Sequence, residues 1–301
     1  ISLPKFPSEV DDICHLLEDF FGDKLPEHVD QFCDFVIDYD KKYESSDAIF
    51  SAFSTFSDNM YKIDAHDSDY HGFSLGINEY MDLTPEEFRA SKTQGSGGCL
   101  LDTHMSLNES LTSTSRRTTT SGCDAFTPSS NVLPESVDWR AHDSVTPVKN
   151  QGQCGSCWSF SATGAMEGAW AVHSGDLVSI AEQQLVDCST DYGNNGCNGG
   201  LMDLAFDYAI DHGMCAEADV PYSAKDGGAC PLCDTVVTIS KCVDVTPNNQ
   251  LHLKEAVSIG PVSIAIEADA RVFQLYRKGI ISSTGCGTNL DHGVLIVRSE
   301  E

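Results

Sequence analysis

Residues 91–132 divide the chain. This stretch is rich in Ser, Thr and Gly, with SLTSTSRRTTTSG at its centre. It carries no apolar periodicity from which a helix or strand could build a buried face. Hydrophobic patterning lies on either side of it, so the 301 residues are expected to fold as two blocks joined by an exposed linker. Cys99 and Cys123 bracket the linker and are expected to close it into a loop. Asn108-Glu109-Ser110 is the chain's one N-x-Ser/Thr triplet, and its polar surroundings suit a glycan on Asn108.

The first block reads as helical. Val29, Phe32, Val36 and Tyr43 keep three-to-four spacing, as do Phe50, Phe53, Phe56, Met60 and Ile63, which predicts helices over 28–66. Thr84-Pro85-Glu86-Glu87 has the composition of a capping box with Pro at the first helical position. The second block starts at Leu133. Cys157 to His173 carries Cys157, Phe160, Ser161, Gly164, Ala165, Gly168, Ala169 and Val172 on one face, a small-residue face suited to close packing, and Gly175 ends it. Ser179-Ile180-Ala181-Glu182 reads as a second capping box. A third helix carries Leu201, Leu204, Ala205 and Tyr208 and stops at Gly213. After Gly260-Pro261, VSIAIEA alternates and HGVLIV is a continuous apolar run, the pattern of a buried strand. Helices followed by strands predict an α+β domain.

Bulk properties narrow the function. The net charge of −28 argues against nucleic acid or an anionic membrane as partner. Residues 1–90 hold 21 acids and 6 bases, and residues 133–301 hold 22 and 9. Both blocks are therefore acidic, which suits solubility or an acidic compartment. Thirteen cysteines point to an oxidising compartment or to metal. No run reaches the length of a membrane span. The chain opens at Ile1 without Met, and removal of a targeting segment is expected.

The densest chemistry lies in NQGQCGSCWSF, Asn150 to Phe160. Cys154 and Cys157 are open to several readings: a redox pair, half a zinc site together with Cys230 and Cys233, a structural cysteine beside a nucleophile, or two structural disulfide cysteines. The polar, Gly-rich lead-in is not the strand that a redox motif requires. Cys157 falls at the first turn of a helix, where the dipole favours a thiolate. Its backbone N–H, with the Gln151 amide, could hold a developing oxyanion. A thiolate nucleophile needs a histidine. Of the ten in the chain, His142 lies in a loop, His173 shares the helix of Cys157, His212 precedes a helix-ending glycine and His252 lies near a helix start. His292 opens an apolar strand far along the chain, the position that a cleft enzyme requires.

QGQCGSCWSFSATGAMEG resembles the active-site segment of the papain family of cysteine proteases, and the histidine spacing agrees. The likeness continues through LVDCS, GCNGGLMDLAF, PVSIAIEA, FQLYRKGI and CGTNLDHGVL. In the first block, LGINEYMDLTPEEF resembles the inhibitory propeptide of the cathepsin L-like branch, whose Gly-x-Asn-x-Phe-x-Asp motif stands here as Gly76, Asn78, Tyr80 and Asp82. Phe56, Asn59 and Ile63 fit its helix motif, whereas Ala48, Ala52 and Asp67 depart from it.

The resemblance implies a papain-like two-lobe fold, with a helical lobe and an incomplete β-barrel-like lobe, preceded by a helical propeptide. The expected divisions are an N-terminal extension over 1–27, the inhibitory propeptide over 28–90, the linker with the activation cleavage region over 91–132, and the peptidase domain over 133–301. It implies a cysteine endopeptidase zymogen without cofactor or metal. Cys157 would be the nucleophile, His292 its proton partner, and Gln151 a member of the oxyanion hole. Gly199 and Gly200 would pair with substrate, and Leu201, Met202, Ala265 and Leu290 would line an apolar pocket, although core packing is the other reading of those four. Cys154–Cys197 and Cys188–Cys230 look like family disulfides, Cys14–Cys33 and Cys233–Cys242 are further pairs, and Cys215 has no obvious mate. Polypeptide substrates, the chain's own propeptide and cystatin-like inhibitors are the implied partners of a monomer in a secreted or lysosomal compartment.

The family orients its histidine with an asparagine in an Asn-Ser-Trp-Gly segment, and residues 293–301 contain neither Asn nor Trp. Asn289 and Asp291 are poorly placed to substitute. The chain is therefore expected to be truncated. Two alternatives to the zymogen follow: a catalytically impaired homologue that binds through its propeptide, and a thiol–disulfide oxidoreductase using Cys154 and Cys157. For the zymogen, low pH is expected to release the propeptide, with cleavage between Phe126 and Leu133.

Overall fold

A computed structural model describes residues 10–92, 122–129, 132–268, 271–281 and 287–300. In chain order the helices are α1 (Val10–Phe21), α2 (Val29–Asp38), α3 (Ser46–Asp64), α4 (Ser68–His71), α5 (Pro85–Lys92), α6 (Cys157–Ser174), α7 (Glu182–Cys188), α8 (Met202–His212), α9 (Gln250–Ile259) and α10 (Arg271–Gln274). The strands are β1 (Phe73–Leu75), β2 (Asp124–Ala125), β3 (Val137–Asp138), β4 (Met214–Cys215), β5 (Thr235–Val237), β6 (Val243–Asp244), β7 (Val262–Ile266), β8 (Tyr276–Gly279), β9 (His292–Ile296) and β10 (Arg298–Ser299). Among the described residues the strands pair only in twos. Cys99, Asn108 and Cys286, like most of the linker, lie outside the described residues.

The chain forms two compact units, Ile1–Arg89 with Ala268–Gly287, and Ala90–Glu267 with Thr288–Glu301. The first has an aromatic core. Phe32 on α2 meets Phe53 and Phe56 on α3 edge-to-face at 5.5 and 5.4 Å, a favoured geometry for ring pairs. Ile13 and Leu17 of α1 are buried in the same core, so residues before 28 contribute to it, and Cys14–Cys33 ties α1 to α2. Ser45 caps α3 by accepting from Ala48 N–H at 3.1 Å. Thr84 and Glu87 form the reciprocal capping box of α5, at 2.8 and 3.1 Å.

Residues 268–287 join this unit rather than the block that precedes them in sequence. β8 pairs antiparallel with β1, Phe73 opposite Gly279. The Asn78 amide donates to Gln274 O at 2.6 Å, and the Gln274 amide donates to Tyr80 O and Leu83 O. Asp82 accepts from Lys41 at 2.8 Å and from the Tyr43 hydroxyl at 3.0 Å. Burial and the Asp82 charge push the Tyr43 phenol far above its usual range. Asn78 and Asp82 thus act as structural fasteners within the unit. Boundaries drawn from sequence continuity do not coincide with the compact units, because strand pairing joins segments distant in the chain.

The second unit packs α6, α7 and α8 around Trp158, Met166, Leu185, Ala205 and Tyr208. β7 and β9 run antiparallel, with Val262 opposite Ile296 and Ile266 opposite His292. Apart from Gly293 the residues of β9 are half-buried, where the apolar run predicts full burial. Ser161 and Gly293 place α6 on one side of the ladder.

Three expectations need correction. Cys233 and Cys242 do not pair: Cys233 bonds Cys215, and Cys242 bonds Cys123. The β4–β5 pairing, Met214 opposite Val237 and Cys215 opposite Thr235, brings Cys215 close to Cys233. Cys123 therefore does not close a loop with Cys99. The capping box predicted for α7 does not form, since the N-cap is Ala181 and has no side-chain bond. Glu182 instead points inward to Lys149 and Thr163.

α6 is the element on which this unit depends. A methyl group at Gly168 would lie 2.5 Å from Pro261 Cγ, inside van der Waals contact. Gly168→Val is expected to destabilise the chain by about 1–3 kcal/mol through overpacking. Thermal unfolding of a Cys157→Ser background would show this as a lowered Tm, and an unchanged Tm would contradict the packing.

Candidate functional site

The small-residue face of α6 determines where His292 lies. Ser161, Gly164 and Gly168 line one side of the helix, at intervals close to its turn. A methyl group at Gly164 would come within 2.7 Å of Leu295 on β9. The Ser161 hydroxyl donates to Val294 O at 2.6 Å and sits 2.6 Å from the Ser263 hydroxyl. β9 and β7 therefore lie directly on the helix. One turn towards the N-terminus, a methyl group at Gly293 would be 3.3 Å from Cys157 O and 3.3 Å from Met202 Sδ. His292 precedes Gly293, so the strand carries it to the start of α6 where Cys157 stands. Met202 and, through the register, Ala265 opposite Gly293 adjoin the same point.

Cys157 is buried at the first position of α6. The N-cap Ser156 makes no capping bond with its side chain, and its carbonyl accepts the Ser159 N–H at 2.8 Å. Ser156 Oγ lies 2.6 Å from the Tyr222 hydroxyl, which donates to Gln151 O at 2.7 Å. The Gln151 amide donates to Cys154 O at 3.0 Å. Cys154 is bonded to Cys197, and Gly155 N–H donates to Cys197 O. The Gln151 loop is thus fastened beside the helix start. Because Cys154 is committed to Cys197, Cys154 and Cys157 are not a redox pair, and the oxidoreductase reading loses its site. Cys157 is also disulfide-bonded in this structure, so a thiolate at this position belongs to the reduced form.

Gly199, with φ 105°, and Gly200 lie just ahead of α8. A methyl group at Gly200 would be 2.7 Å from the Trp158 indole and 2.5 Å from Asn194 Oδ1. Asn194, itself buried, accepts from Leu201 N–H at 2.8 Å and donates to Ser189 Oγ at 3.0 Å. It shapes this stretch, and sequence reasoning missed it, although an Asn within a Gly-rich run is a recognisable turn signal. Leu201 and Leu290 are half-buried. Asp291 N–H donates to Ile266 O at 3.0 Å, and Asn289 N–H donates to the Glu267 carboxylate at 2.5 Å. Cys188, at the end of α7, is bonded to Cys230.

Residues 133–299 match the family described as papain family cysteine protease, and residues 32–88 match the cathepsin propeptide inhibitor domain (I29). The chain belongs to the papain family of cysteine proteases. It is 43% identical over 253 residues to probable cysteine protease RD21B of Arabidopsis thaliana, covering 81% of this chain and 50% of that protein. It is 42% identical to cathepsin L of Sarcophaga peregrina, covering 80% of this chain and 70% of the other. Digestive procathepsin L 3 of Tenebrio molitor larval midgut superimposes with a TM-score of 0.77 at 34% identity, covering 91% of this chain and 85% of that one. The chain thus spans about half the length of several plant relatives that it matches. Like the proenzymes it resembles, it combines mixed helix and sheet with a helical propeptide region. Among the described residues, no helix is long and apolar enough to cross a membrane.

This papain-family unit also carries a buried charge cluster on a second face of α6. Lys149 contacts Glu167 at 2.8 Å and Glu182 at 2.7 Å. Thr146 and Thr163 donate to the same two carboxylates, and Ile180 N–H donates to Glu167 at 3.0 Å. The glutamate side chains are 2% and 0% exposed. Burial, only partly offset by Lys149, pushes the Glu182 carboxyl above its ordinary range. Elsewhere, Cys123, Asp203 and Asp244 come within metal-ligating distance of one another. The Cys123 sulfur is bonded to Cys242 and offers no thiolate. Asp203 is pushed up to about 6 by burial and by Asp244 and Asp207.

Lys149→Met would leave two buried carboxylates without their cation, at a cost of about 3 kcal/mol or more at pH 7. The folded-state pKa of Glu182 is raised, so its favourable contribution is full below the unfolded pKa and is lost as pH rises through the folded one. The Tm deficit of Lys149→Met is therefore expected to shrink between pH 7 and pH 4. A deficit that is constant with pH, by calorimetry, would contradict this.

Proposed function

We propose that the chain is the zymogen of a cysteine endopeptidase. The observation that carries the reading is the packing of β9 on α6, with Gly293 against Cys157, which sets the neighbouring His292 at the start of the helix. After reduction, the Cys157 thiolate attacks a peptide carbonyl carbon. The oxyanion is held by the Cys157 backbone N–H and Gln151. The C–N bond breaks as His292 donates its proton to the leaving amine, and His292 then draws a proton from water as the thioester is hydrolysed, restoring the thiolate.

Gly199 and Gly200 offer backbone for strand-like pairing with substrate. Leu201, Met202, Ala265 and Leu290 form the pocket for the second residue on the acyl side, with preference for a bulky apolar side chain. Residues 28–90 serve as the inhibitory propeptide after an extension over 1–27, the stretch 91–132 holds the activation cleavage, and 133–301 supplies the peptidase. Asn108 carries a glycan, and the mature enzyme acts as a monomer, subject to cystatin-like inhibitors, in a secreted or lysosomal compartment. The runner-up, a binder acting through the propeptide, would need no reactive Cys157.

An epoxide inactivator of cysteine peptidases tests the reading. Reduced, acid-treated chain is expected to be labelled at Cys157 and to cleave peptides with an apolar second residue. His292→Ala is expected to lower kcat/KM by about 10²–10⁴-fold. Absence of labelling, together with tight inhibition of other papain-family enzymes by the intact chain, would favour the binder.

A further inference from the structure

Within the second unit, the stretch that precedes Leu133 is fastened to the rest by a covalent bond. Cys123 and Cys242, 119 residues apart, are bonded with an S–S distance of 2.00 Å. On the C-terminal side of the bond, β2 pairs in parallel with β6, Asp124 opposite Val243 and Ala125 opposite Asp244. Asp124 N–H donates to Cys242 O at 3.0 Å, and Phe126 N–H donates to Asp244 O at 2.9 Å. The Phe126 ring lies 5.6 Å from that of His252. Gly122 N–H reaches the Asp207 carboxylate at 3.4 Å. A two-residue ladder is marginal alone, so the disulfide is the principal fastener.

Beyond this attachment the chain keeps one further contact, the Ser129 N–H donating to the Glu255 carboxylate at 2.5 Å, although its residues are open to solvent. Thr127, Pro128 and Ser129 are exposed, as are Pro134, Glu135 and Ser136, and Val132 is 98% exposed. The domain's own pairing begins at Val137, opposite Ser299. The accessible stretch thus lies between Cys123 and the domain. A cut there leaves Cys123 on the N-terminal fragment and Cys242 on the C-terminal one.

We propose that Cys123–Cys242 keeps the propeptide covalently attached to the peptidase after cleavage between Phe126 and Leu133, so that its release requires reduction as well as proteolysis. The inference rests on the zymogen reading for the place of the cut. Hydrolysis breaks one peptide bond and consumes one water. The second step consumes two molecules of a small thiol, RSH. The S–S bond breaks, Cys123 and Cys242 each gain an electron and a proton, and the two thiols leave as RSSR. An attached propeptide remains at an effective concentration set by its linker instead of diffusing away. A cut peptidase is therefore inhibited until a reductant acts, and the reductant also supplies the free thiol that Cys157 needs.

The test uses the full chain carrying Cys157→Ser, with the recognition sequence of a foreign site-specific protease placed between Thr127 and Val132. The foreign enzyme makes the cut, so the result does not depend on the chain's own peptidase activity. After cutting and blocking of free thiols, a denaturing gel without reductant is expected to show one species at the mass of the uncut chain. Dithiothreitol is expected to resolve it into two. Adding Cys242→Ser, or independently Cys123→Ser, is expected to separate the fragments without reductant. Separation of the parent chain without reductant would overturn the proposal, and so would cohesion that survives both serine variants.

Discussion

The contact on which the second unit depends is that between the Ser161–Gly164–Gly168 face of α6 and the β7–β9 ladder. Glycine and serine at these positions let helix and strands approach until Leu295 and Pro261 occupy the space a side chain would take. Dispersion is short-ranged, so this closeness accounts for the tight packing. The Ser161 hydroxyl adds direct bonding to both strands. Gly293, the second residue of β9, meets Cys157, the first residue of α6, through the same contact.

α6 is held on three sides. A third of a turn from the strands, Thr163 and Glu167 face the buried Lys149–Glu182 cluster. Trp158, Ala162 and Met166 face the apolar core with α7 and α8. A helix held on three sides, with Ala169 and Val172 on its exposed side, cannot roll without exposing charge or opening a cavity. That fixity orients the first turn, where a nucleophile and its N–H donor need defined positions. The charge cluster is costly to bury, and removal of one partner would leave the others uncompensated.

Much of this was legible in the sequence, for identifiable reasons. The small-residue face of α6, the glycine ending it and the Thr84–Glu87 box are local patterns, and local patterns survive folding. The apolar run opened by His292 was legible as a strand and forms β9. The Ser179–Glu182 box failed because Lys149 competes for the glutamate, and a local motif carries no sign of a partner 33 residues away. The Cys233–Cys242 pairing failed for the same reason, whereas Cys14–Cys33, Cys154–Cys197 and Cys188–Cys230 formed as expected. Cys233 and Cys242 are near in sequence, but β4–β5 and β2–β6 bring Cys215 and Cys123 to them. Residues 268–287 left their block because β1 offered them a strand edge. Asn194 was passed over as one polar residue in a loop, yet its two bonds shape Gly200 and Leu201.

The two units are held together by different means, and this bears on how a zymogen could come apart. The first unit depends on an aromatic core, a short ladder and the Lys41–Asp82 pair, all of them non-covalent apart from Cys14–Cys33. The second adds a series of disulfides, Cys123–Cys242 among them. Acid weakens ion pairs as carboxylates take up protons, but it leaves a disulfide intact, because exchange requires a thiolate and thiolates are scarce at low pH. A chain fastened by Cys123–Cys242 therefore responds to acid and to reductant through separate bonds. Acidification alone can loosen the first unit without detaching it, whereas reduction in a less acidic medium frees the tether while the carboxylate pairs still hold.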